Sequence, residues 1–233
     1  NKELTEKLID IFCEVQKIYF AFNRFIYLYK FKKAKRENIC LDLYLRPLNR
    51  LDDNDKIQLL HMDSVYTFSI YDLIHMWKES LTHSDSFFPR PKPLKNPFTN
   101  LPFKEHNLYN IYFKLQCRKG LVPFYIDEFF RLDFNYNLFT IKFNPALKDY
   151  AIDNYIQRCD DDDLFEDIQA MCEKLNELYG ETFRVNMIHN VKQKEIIINT
   201  LKPYLLLFYR YTYSRNALLK KKCLKLLKKE IKL

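Results

Sequence analysis

Residues 86–113 read SFFPRPKPLKNPFTNLPFKEHNLYNIYF, and this stretch decides how the rest of the chain is organised. It holds five of the nine prolines, which interrupt helix and strand patterns because proline has no backbone N–H. It also holds seven Phe and Tyr residues, whereas a flexible linker is rich in Gly and Ser and poor in aromatics. We therefore predict that residues 83–103, the Pro/aromatic belt, are ordered and pack against the body of the protein.

The overall composition bounds the class of protein. With 233 residues the chain is long enough to bury a substantial core, and we predict a single domain over residues 1–233. Only two glycines are present, Gly120 and Gly180, so the sequence contains none of the Gly-rich loops that bind phosphates or dinucleotides. No apolar run approaches the ~20 residues of a membrane span.

The cysteines and histidines show no metal-site spacing. The six cysteines are widely scattered, without a CxxC pair, so we expect buried free thiols in a reducing compartment and neither metal nor cofactor. The five histidines form no HExxH pair and no serine lies in a GxSxG turn. These absences favour a non-enzymatic protein.

The N-terminal region, residues 1–38, is predicted to form a long amphipathic helix. Its apolar residues recur at helical spacing over about seven turns; they are Leu4, Leu8, Ile11, Phe12, Val15, Ile18, Tyr19, Phe22, Phe25 and Ile26. The last part of this region is basic, which either offsets the helix dipole or forms a patch that binds a partner.

Residues 39–82 are predicted to form a small β element followed by a helix. Ile39, Leu41, Leu43 and Leu45 alternate with more polar residues as in a strand, and residues 57–62 and 65–68 form a further strand pair. Ser69 and Asp72 have the spacing of a capping box before a helix over 70–82.

The remainder is predicted to be helical, as a body over residues 104–203 and a basic C-terminal helix over 204–233. We expect helices to begin at Asn144-Pro145 and at the four aspartates 160–163, and Pro203 to separate or kink the last two. Gly180 is expected to end one helix, and residues 182–185 to form a short strand. The fold class is thus α+β and predominantly α-helical, with about eight helices and a small antiparallel hairpin or three-stranded patch near residues 39–68.

The excess positive charge is concentrated at the C-terminus. Residues 210–233 hold nine basic residues and one acid, which equals the net charge of +8 of the whole chain. Together with residues 24–36 they form two basic stretches interleaved with aromatics, a combination that neutralises phosphates and stacks on unpaired bases. The candidate binding residues are Arg24, Lys30, Lys32, Lys33, Lys35, Arg36, Arg210, Arg215, Lys221, Lys225, Lys228 and Lys232.

Part of the belt resembles a known group of sequences. The runs PLKNPFTNLPF at 93–103 and LYNIYF at 108–113 resemble a segment of uncharacterised proteins of nucleocytoplasmic large DNA viruses. The pattern Tyr66-x-Phe68-x-x-x-Asp72-Leu73-Ile74 and the run KPYL at 202–205 extend this resemblance over residues 40–215. It implies a viral protein of the host cytoplasm (the viral factory) or the virion, and assigns no functional residue. A weaker likeness, of the strand pair and the capped helix with Trp77, is to the U-box of ubiquitin ligases, whose Asp-Pro and Gly turns are missing.

The function expected from these features is binding rather than catalysis. We predict a non-enzymatic viral protein whose basic amphipathic helices bind nucleic acid, DNA or RNA, or an acidic protein surface. The alternative is a virion-associated or capsid-associated structural protein whose belt and terminal helices dock on neighbouring subunits. An anionic membrane surface is a further option for the Lys-rich C-terminal helix.

Overall fold

The computed structural model describes residues 2–118, 122–179 and 191–230. The chain divides into two compact units, which are described separately. The first unit comprises Asn1–Trp77 and Leu94–Asp127, and the second comprises Lys78–Pro93 and Glu128–Leu233. One point of division therefore lies inside the Pro/aromatic belt, between Pro93 and Leu94. The prediction of a single domain stays a prediction.

The described residues form eight α-helices and five short strands, which confirms the predicted class of a mainly helical α+β protein. In chain order they are α1 Lys2–Lys33, β1 Lys35–Arg36, β2 Lys56–His61, β3 Ser64–Ser69, α2 Ile70–Leu81, β4 Ser84–Asp85, β5 Phe88–Pro89, α3 Glu105–Gln116, α4 Phe124–Arg131, α5 Tyr136–Arg158, α6 Asp161–Tyr179, α7 Val191–Tyr213 and α8 Ala217–Glu230. Helix α1 confirms the predicted N-terminal helix, and the prediction for 182–185 lies outside the described residues, as does Gly180.

The sheet of the first unit has the order β1-β3-β2. Strands β2 and β3 form the predicted antiparallel hairpin, with Lys56 opposite Ser69 and His61 opposite Ser64. The third strand is β1, which pairs parallel to β3. The predicted strand over 39–45 is wrong, because this segment is a loop with a single bridge between Leu41 and Pro47.

A buried carboxylate explains why residues 39–45 turn instead of extending. Asp42 accepts hydrogen bonds from the backbone N–H groups of Tyr44 and Arg46, at 2.9 and 2.8 Å, and from Nε of Arg46 at 2.7 Å. Leu45 consequently adopts a positive φ of 61°, which no strand residue has. The alternation of apolar and polar residues over 39–45 therefore belongs to a loop and not to a strand.

Helix α2 confirms the predicted helix but not the predicted capping box. The hydroxyl of Ser69 has no hydrogen-bond partner among the described atoms. Asp72 instead accepts a hydrogen bond from the backbone N–H of Leu43 at 2.9 Å, so it fastens the Asp42 loop to α2. Burial is the main reason that the pKa of Asp72 is raised.

The core of the first unit lies between the hairpin and helices α2 and α3. Leu59, Leu73 and Trp77 are inaccessible to solvent, as is Ile111 of α3. Asn107 of α3 donates a hydrogen bond to the backbone carbonyl of Leu60 at 3.2 Å, which joins α3 to β2.

The second unit is built around helices α5 to α8. A single apolar cluster, which includes Ile156 of α5, Ile168 of α6, Leu205 of α7 and Leu227 of α8, holds the four helices together. The β4–β5 hairpin contributes Phe87, whose ring lies 4.8 to 5.1 Å from the rings of three tyrosines: Tyr155, Tyr209 and Tyr213.

Two helix boundaries differ from the predicted ones. Helix α5 begins at Tyr136 rather than at Asn144-Pro145, because the side chain of Asn135 accepts a hydrogen bond from the N–H of Leu138 and caps the helix earlier. Helix α7 continues through Pro203, and the break before the last helix falls at residues 214–216. The basic C-terminal helix therefore begins at Ala217. Among the helices that the structure describes, none combines the length and the apolar composition that a membrane span requires.

Candidate functional site

Helix α8 starts at a polar cap that its own sequence supplies. The side chain of Asn216 accepts hydrogen bonds from the N–H groups of Leu218 and Leu219, at 3.1 and 3.2 Å. Ser214 in turn accepts a hydrogen bond from the N–H of Asn216. These contacts satisfy backbone donors that a helix start leaves unpaired, and they fix the point where α8 separates from α7.

The rotational setting of α8 is decided by two buried side chains. Cys223 and Leu227, four residues apart, are almost inaccessible to solvent, and Leu227 belongs to the core cluster of the second unit. Burial raises the pKa of the Cys223 thiol, which therefore behaves as a small apolar side chain. Because 223 and 227 point inward, the opposite side of the helix is turned to solvent.

The solvent side of α8 is rich in lysines, as the sequence predicts, and it also exposes Leu218 and Leu226. The exposed lysines of this helix, here called the lysine face, are Lys221, Lys222, Lys225, Lys228 and Lys229. Residues 217–229 contain no acid, and the one acid in the sequence of α8 is its last residue, Glu230. Lys221, Lys225 and Lys228 follow one line along the helix, at i, i+4 and i+7. Lys232, the next residue of this line, lies outside the described residues.

The two candidate arginines near α8 differ in their availability. Arg210 is bound through Nη2 to both carboxylate oxygens of Asp153, at 2.8 and 2.7 Å, and through Nε to one of them. Because this pairing occupies the guanidinium within the second unit, we do not count Arg210 among the residues of the candidate binding surface. Arg215 lies in the break between α7 and α8 and is exposed.

A cavity of about 520 Å³ opens beside the start of α8. It is lined by residues of α6, α7 and α8, among them Asp167, Met171, Lys174, Phe208, Tyr211, Thr212, Tyr213 and Lys220. Lys220 donates a hydrogen bond to the backbone carbonyl of Thr212 at 3.1 Å, so its ammonium group lies where α7 ends. The cavity thus combines tyrosine rings with two lysines, Lys174 and Lys220, and directly adjoins the helix that carries the lysine face.

The only carboxylate that lines this cavity is held by tyrosines. Asp167 accepts a hydrogen bond from the hydroxyl of Tyr155 at 2.8 Å. The pKa values of Tyr155 and Tyr209 are both raised. Burial is the main cause, and hydrogen bonding to neighbours that include Asp167 adds to it. Both phenols therefore stay protonated near neutral pH and act as hydrogen-bond donors rather than as nucleophiles or bases.

The aromatic residues of the C-terminal basic stretch divide between core and surface. Tyr209 is buried in the core cluster, where it also forms part of the cavity wall. Tyr211 is partly buried, while Tyr213 is 41% exposed and stacks on Phe87. All three tyrosines of this stretch line the cavity, and Tyr211 and Tyr213 are the more exposed of them.

The second basic stretch lies in the first unit, at the end of α1 and in β1. Arg24, Lys30, Lys32 and Lys33 are exposed on the helix. Lys35 is paired with Glu37 at 3.1 Å, and Arg36 contacts Gln58 across the sheet at 3.4 Å. The first four are therefore available for binding, whereas the two residues of β1 already have partners.

The cysteines and carboxylates of the described part of the chain form no cluster with metal-binding geometry. No group of three or more His, Cys, Asp or Glu side chains there is arranged to hold a metal ion. The aspartates 160–163 begin α6 as predicted, and the carboxylate of Asp160 caps the helix by accepting from the N–H of Asp163 at 3.0 Å. All six cysteines are free, but Cys13, Cys40 and Cys117 are exposed, which corrects the expectation that they are buried.

Two features of functional interest were not predicted from the sequence. The first is the cavity, because its lining comes from three helices whose packing no local pattern reports. The second is the exposure of the apolar side of α1, where no residue is buried, since an amphipathic pattern normally indicates a face that is covered.

No protein-family model, no curated protein and no solved structure matches the chain.

Proposed function

We propose that this protein binds single-stranded nucleic acid through the lysine face of α8 and the adjoining cavity. The observation that carries the proposal is the lysine face itself, five exposed lysines on one helix without an acid among residues 217–229. Lysines that neutralise phosphates release condensed counterions, and this release drives binding at low salt.

The fixed setting of α8 supports a binding role for these lysines. Because Cys223 and Leu227 anchor the helix in the core, the lysines project from a rigid element, and the backbone that carries them loses little freedom on binding. Lys221, Lys225 and Lys228 stand about 6 and 4.5 Å apart along the helix axis, so each can meet a different phosphate of an extended strand.

The cavity supports a preference for single strands over duplexes. Its volume of about 520 Å³ lies within the usual range of small-molecule sites, about 300–1,000 Å³, and it can admit one unpaired base. The rings of Tyr211 and Tyr213 supply stacking surface, worth about 1–3 kcal/mol per base. Lys220 and Lys174 lie at the cavity where a phosphate of the same nucleotide would need a cation.

We also propose that this role is non-enzymatic and belongs to a viral protein of the host cytoplasm or the virion. The viral origin is supported by the resemblance of residues 93–113 described above. Mass spectrometry of purified particles tests the virion location, because a packaged protein must be detected there.

A fluorescence titration tests the proposed function. Labelled single-stranded DNA, single-stranded RNA, duplex DNA and poly-glutamate are titrated with the full chain at about 50 and 200 mM salt, a range that separates electrostatic binding from other modes. We expect both single strands to bind more tightly than the duplex, with affinity falling steeply as salt rises. Equal or tighter binding of poly-glutamate would instead identify an acidic protein as the partner, and absence of binding to every probe at low salt would refute the proposal.

A further inference from the structure

Helix α1 presents a long apolar surface that nothing in the first unit covers. All 32 residues of the helix are described, and none of them is buried. Fourteen of its large apolar side chains are 46–68% exposed, including Leu4, Ile11, Ile18 and Phe25. Monomeric proteins rarely expose an apolar patch of this length, so a surface of this kind marks an interaction site.

The apolar residues of α1 follow a heptad repeat over four heptads. With Leu8 assigned to position a, the a and d positions alternate at spacings of four and three residues without interruption from Leu4 to Tyr29; they are Leu4, Leu8, Ile11, Val15, Ile18, Phe22, Phe25 and Tyr29. Position e is also apolar in the middle of the helix, at Phe12, Tyr19 and Ile26. This seam at a and d, widened by e, is the surface that packs against another helix.

We propose that the partner of this surface is α1 of a second copy of the chain, packed antiparallel. The two halves of the helix carry complementary charge, because residues 2–17 hold four acids and three bases whereas residues 18–33 hold four bases and no acid. An antiparallel pair places the acidic half of each helix beside the basic half of the other. A parallel pair would place the two basic halves side by side, where like charges repel.

Side-chain size also favours the antiparallel arrangement. In an antiparallel pair each a position faces a d position of the partner, so in a pair centred between Val15 and Ile18, Phe25 of one copy lies opposite Leu8 of the other, and Phe22 opposite Ile11. Large residues then face smaller ones, as close packing requires. In a parallel pair each phenylalanine would face its own copy.

The area is sufficient for a stable dimer. A helix of 32 residues is about 48 Å long. Pairing it along the eleven a, d and e side chains would bury roughly 1,600–2,000 Å² in total, given the areas of such side chains, which equals a standard specific interface. A membrane surface fits the N-terminal half of α1 less well, since helices that lie on membranes carry Lys and Arg along the polar face, whereas residues 2–17 hold four acids against three bases.

Sedimentation of the full chain with two matched substitutions tests the inference. Ile18 and Ile9 are 59% and 55% exposed on the same helix, but Ile18 lies at a d position and Ile9 lies outside the seam. We expect the wild type and Ile9→Glu to be dimeric at micromolar concentration, and Ile18→Glu to dissociate at least about 100-fold more readily because it buries two unpaired charges. Helix content by circular dichroism confirms that both variants fold. A monomeric wild type, or equal dissociation of the two variants, would overturn the inference.

Disulfide cross-linking tests the direction of the pair. In a background with the exposed Cys13, Cys40 and Cys117 changed to Ser, a cysteine is introduced either at Ile18 or at Leu4. An antiparallel pair keeps the two copies of position 18 within one helical turn of each other at its centre and holds the two copies of position 4 at opposite ends, beyond disulfide reach. We expect Ile18→Cys to cross-link and Leu4→Cys to remain reduced. Efficient cross-linking of Leu4→Cys would overturn the antiparallel arrangement.

Discussion

The side chain of Asn96 donates a hydrogen bond from Nδ2 to Nδ1 of His61 at 3.2 Å, and both residues are buried. Nε2 of His61 therefore carries the proton, and it donates to the backbone carbonyl of Pro102 at 3.2 Å. Asn96 also accepts a hydrogen bond from the N–H of Phe98 through Oδ1, at 3.0 Å. One buried amide thus closes the turn of the Pro/aromatic belt and joins it to strand β2.

Removing this amide is expected to destabilise the first unit. Asn96→Ala leaves Nδ1 of the buried His61 and the partly buried N–H of Phe98 without partners, at a cost of about 2 kcal/mol. Chemical denaturation monitored by tryptophan fluorescence measures this loss, since Trp77 lies in the same unit. The control is Asn54→Ala, the same change at an exposed position. Equal midpoints for the two variants would contradict the role given to Asn96.

The contribution of Asp42 to stability is expected to depend on pH. Burial alone would raise the pKa of Asp42, but the backbone and side chain of Arg46 and the N–H of Tyr44 together lower it. Its folded-state pKa is thus below the unfolded value of about 3.9, so the stabilisation is fully present above that pH and is lost as pH falls through the folded pKa.

The variant Asp42→Asn tests this dependence. We expect it to melt at a lower temperature than the wild type near pH 7, and the difference to shrink as the pH is lowered towards 3. Thermal melts in a series of buffers measure the difference. For Asp52→Asn, an exposed control, the difference should stay near zero at every pH. A difference for Asp42→Asn that does not change with pH would rule out the proposed linkage.

Arg210 and Arg215 are expected to respond differently to the same substitution. Arg210→Gln breaks the bidentate pair with Asp153, which is partly shielded from solvent, and should lower the free energy of unfolding by about 1 kcal/mol. It should leave the affinity for single-stranded DNA unchanged, whereas Arg215→Gln should weaken that affinity with little effect on stability. Thermal melts and titrations of both variants measure the two quantities. The reverse pattern would return Arg210 to the binding surface.

The sequence predicted the features that depend on local pattern. Helices α1 and α2, the β2–β3 hairpin and the outward lysines of α8 all follow from periodicity or from the placement of charge. The third strand was predicted at residues 39–45 instead of at β1. The apolar alternation of residues 39–45 is that of a strand, but the side chain of Asp42 turns this segment into a loop. The start of α5 was misplaced since Asn144-Pro145 is a good helix start in isolation, and only the cap at Asn135 shows that the helix has already begun.

The candidate site was predicted only in part, for reasons of packing. The sequence identifies the basic residues but does not show that Asp153 occupies Arg210, since the two are 57 positions apart. In the belt, the sequence pattern points to the prolines and to Phe98 as the packed residues. The structure instead buries Leu94, Asn96 and Phe103, and leaves Phe98 47% exposed. Long-range contacts of this kind leave no local signal.

The central claim is tested most directly by removing charges from α8 and measuring how the affinity for single-stranded DNA then depends on salt. The triple variant Lys221→Gln, Lys222→Gln, Lys225→Gln removes three charges of the lysine face, while Lys17→Gln, Lys78→Gln, Lys104→Gln removes three exposed charges elsewhere. Titration of labelled single-stranded DNA at several salt concentrations gives the slope of log K against log salt for each protein. We predict that the first variant binds at least about tenfold more weakly at low salt, with a slope smaller in magnitude by about 2, since each lost contact with a single strand removes about 0.7. The control variant should match the wild type. Equal affinities and slopes for the two triple variants would contradict the assignment of nucleic-acid binding to α8.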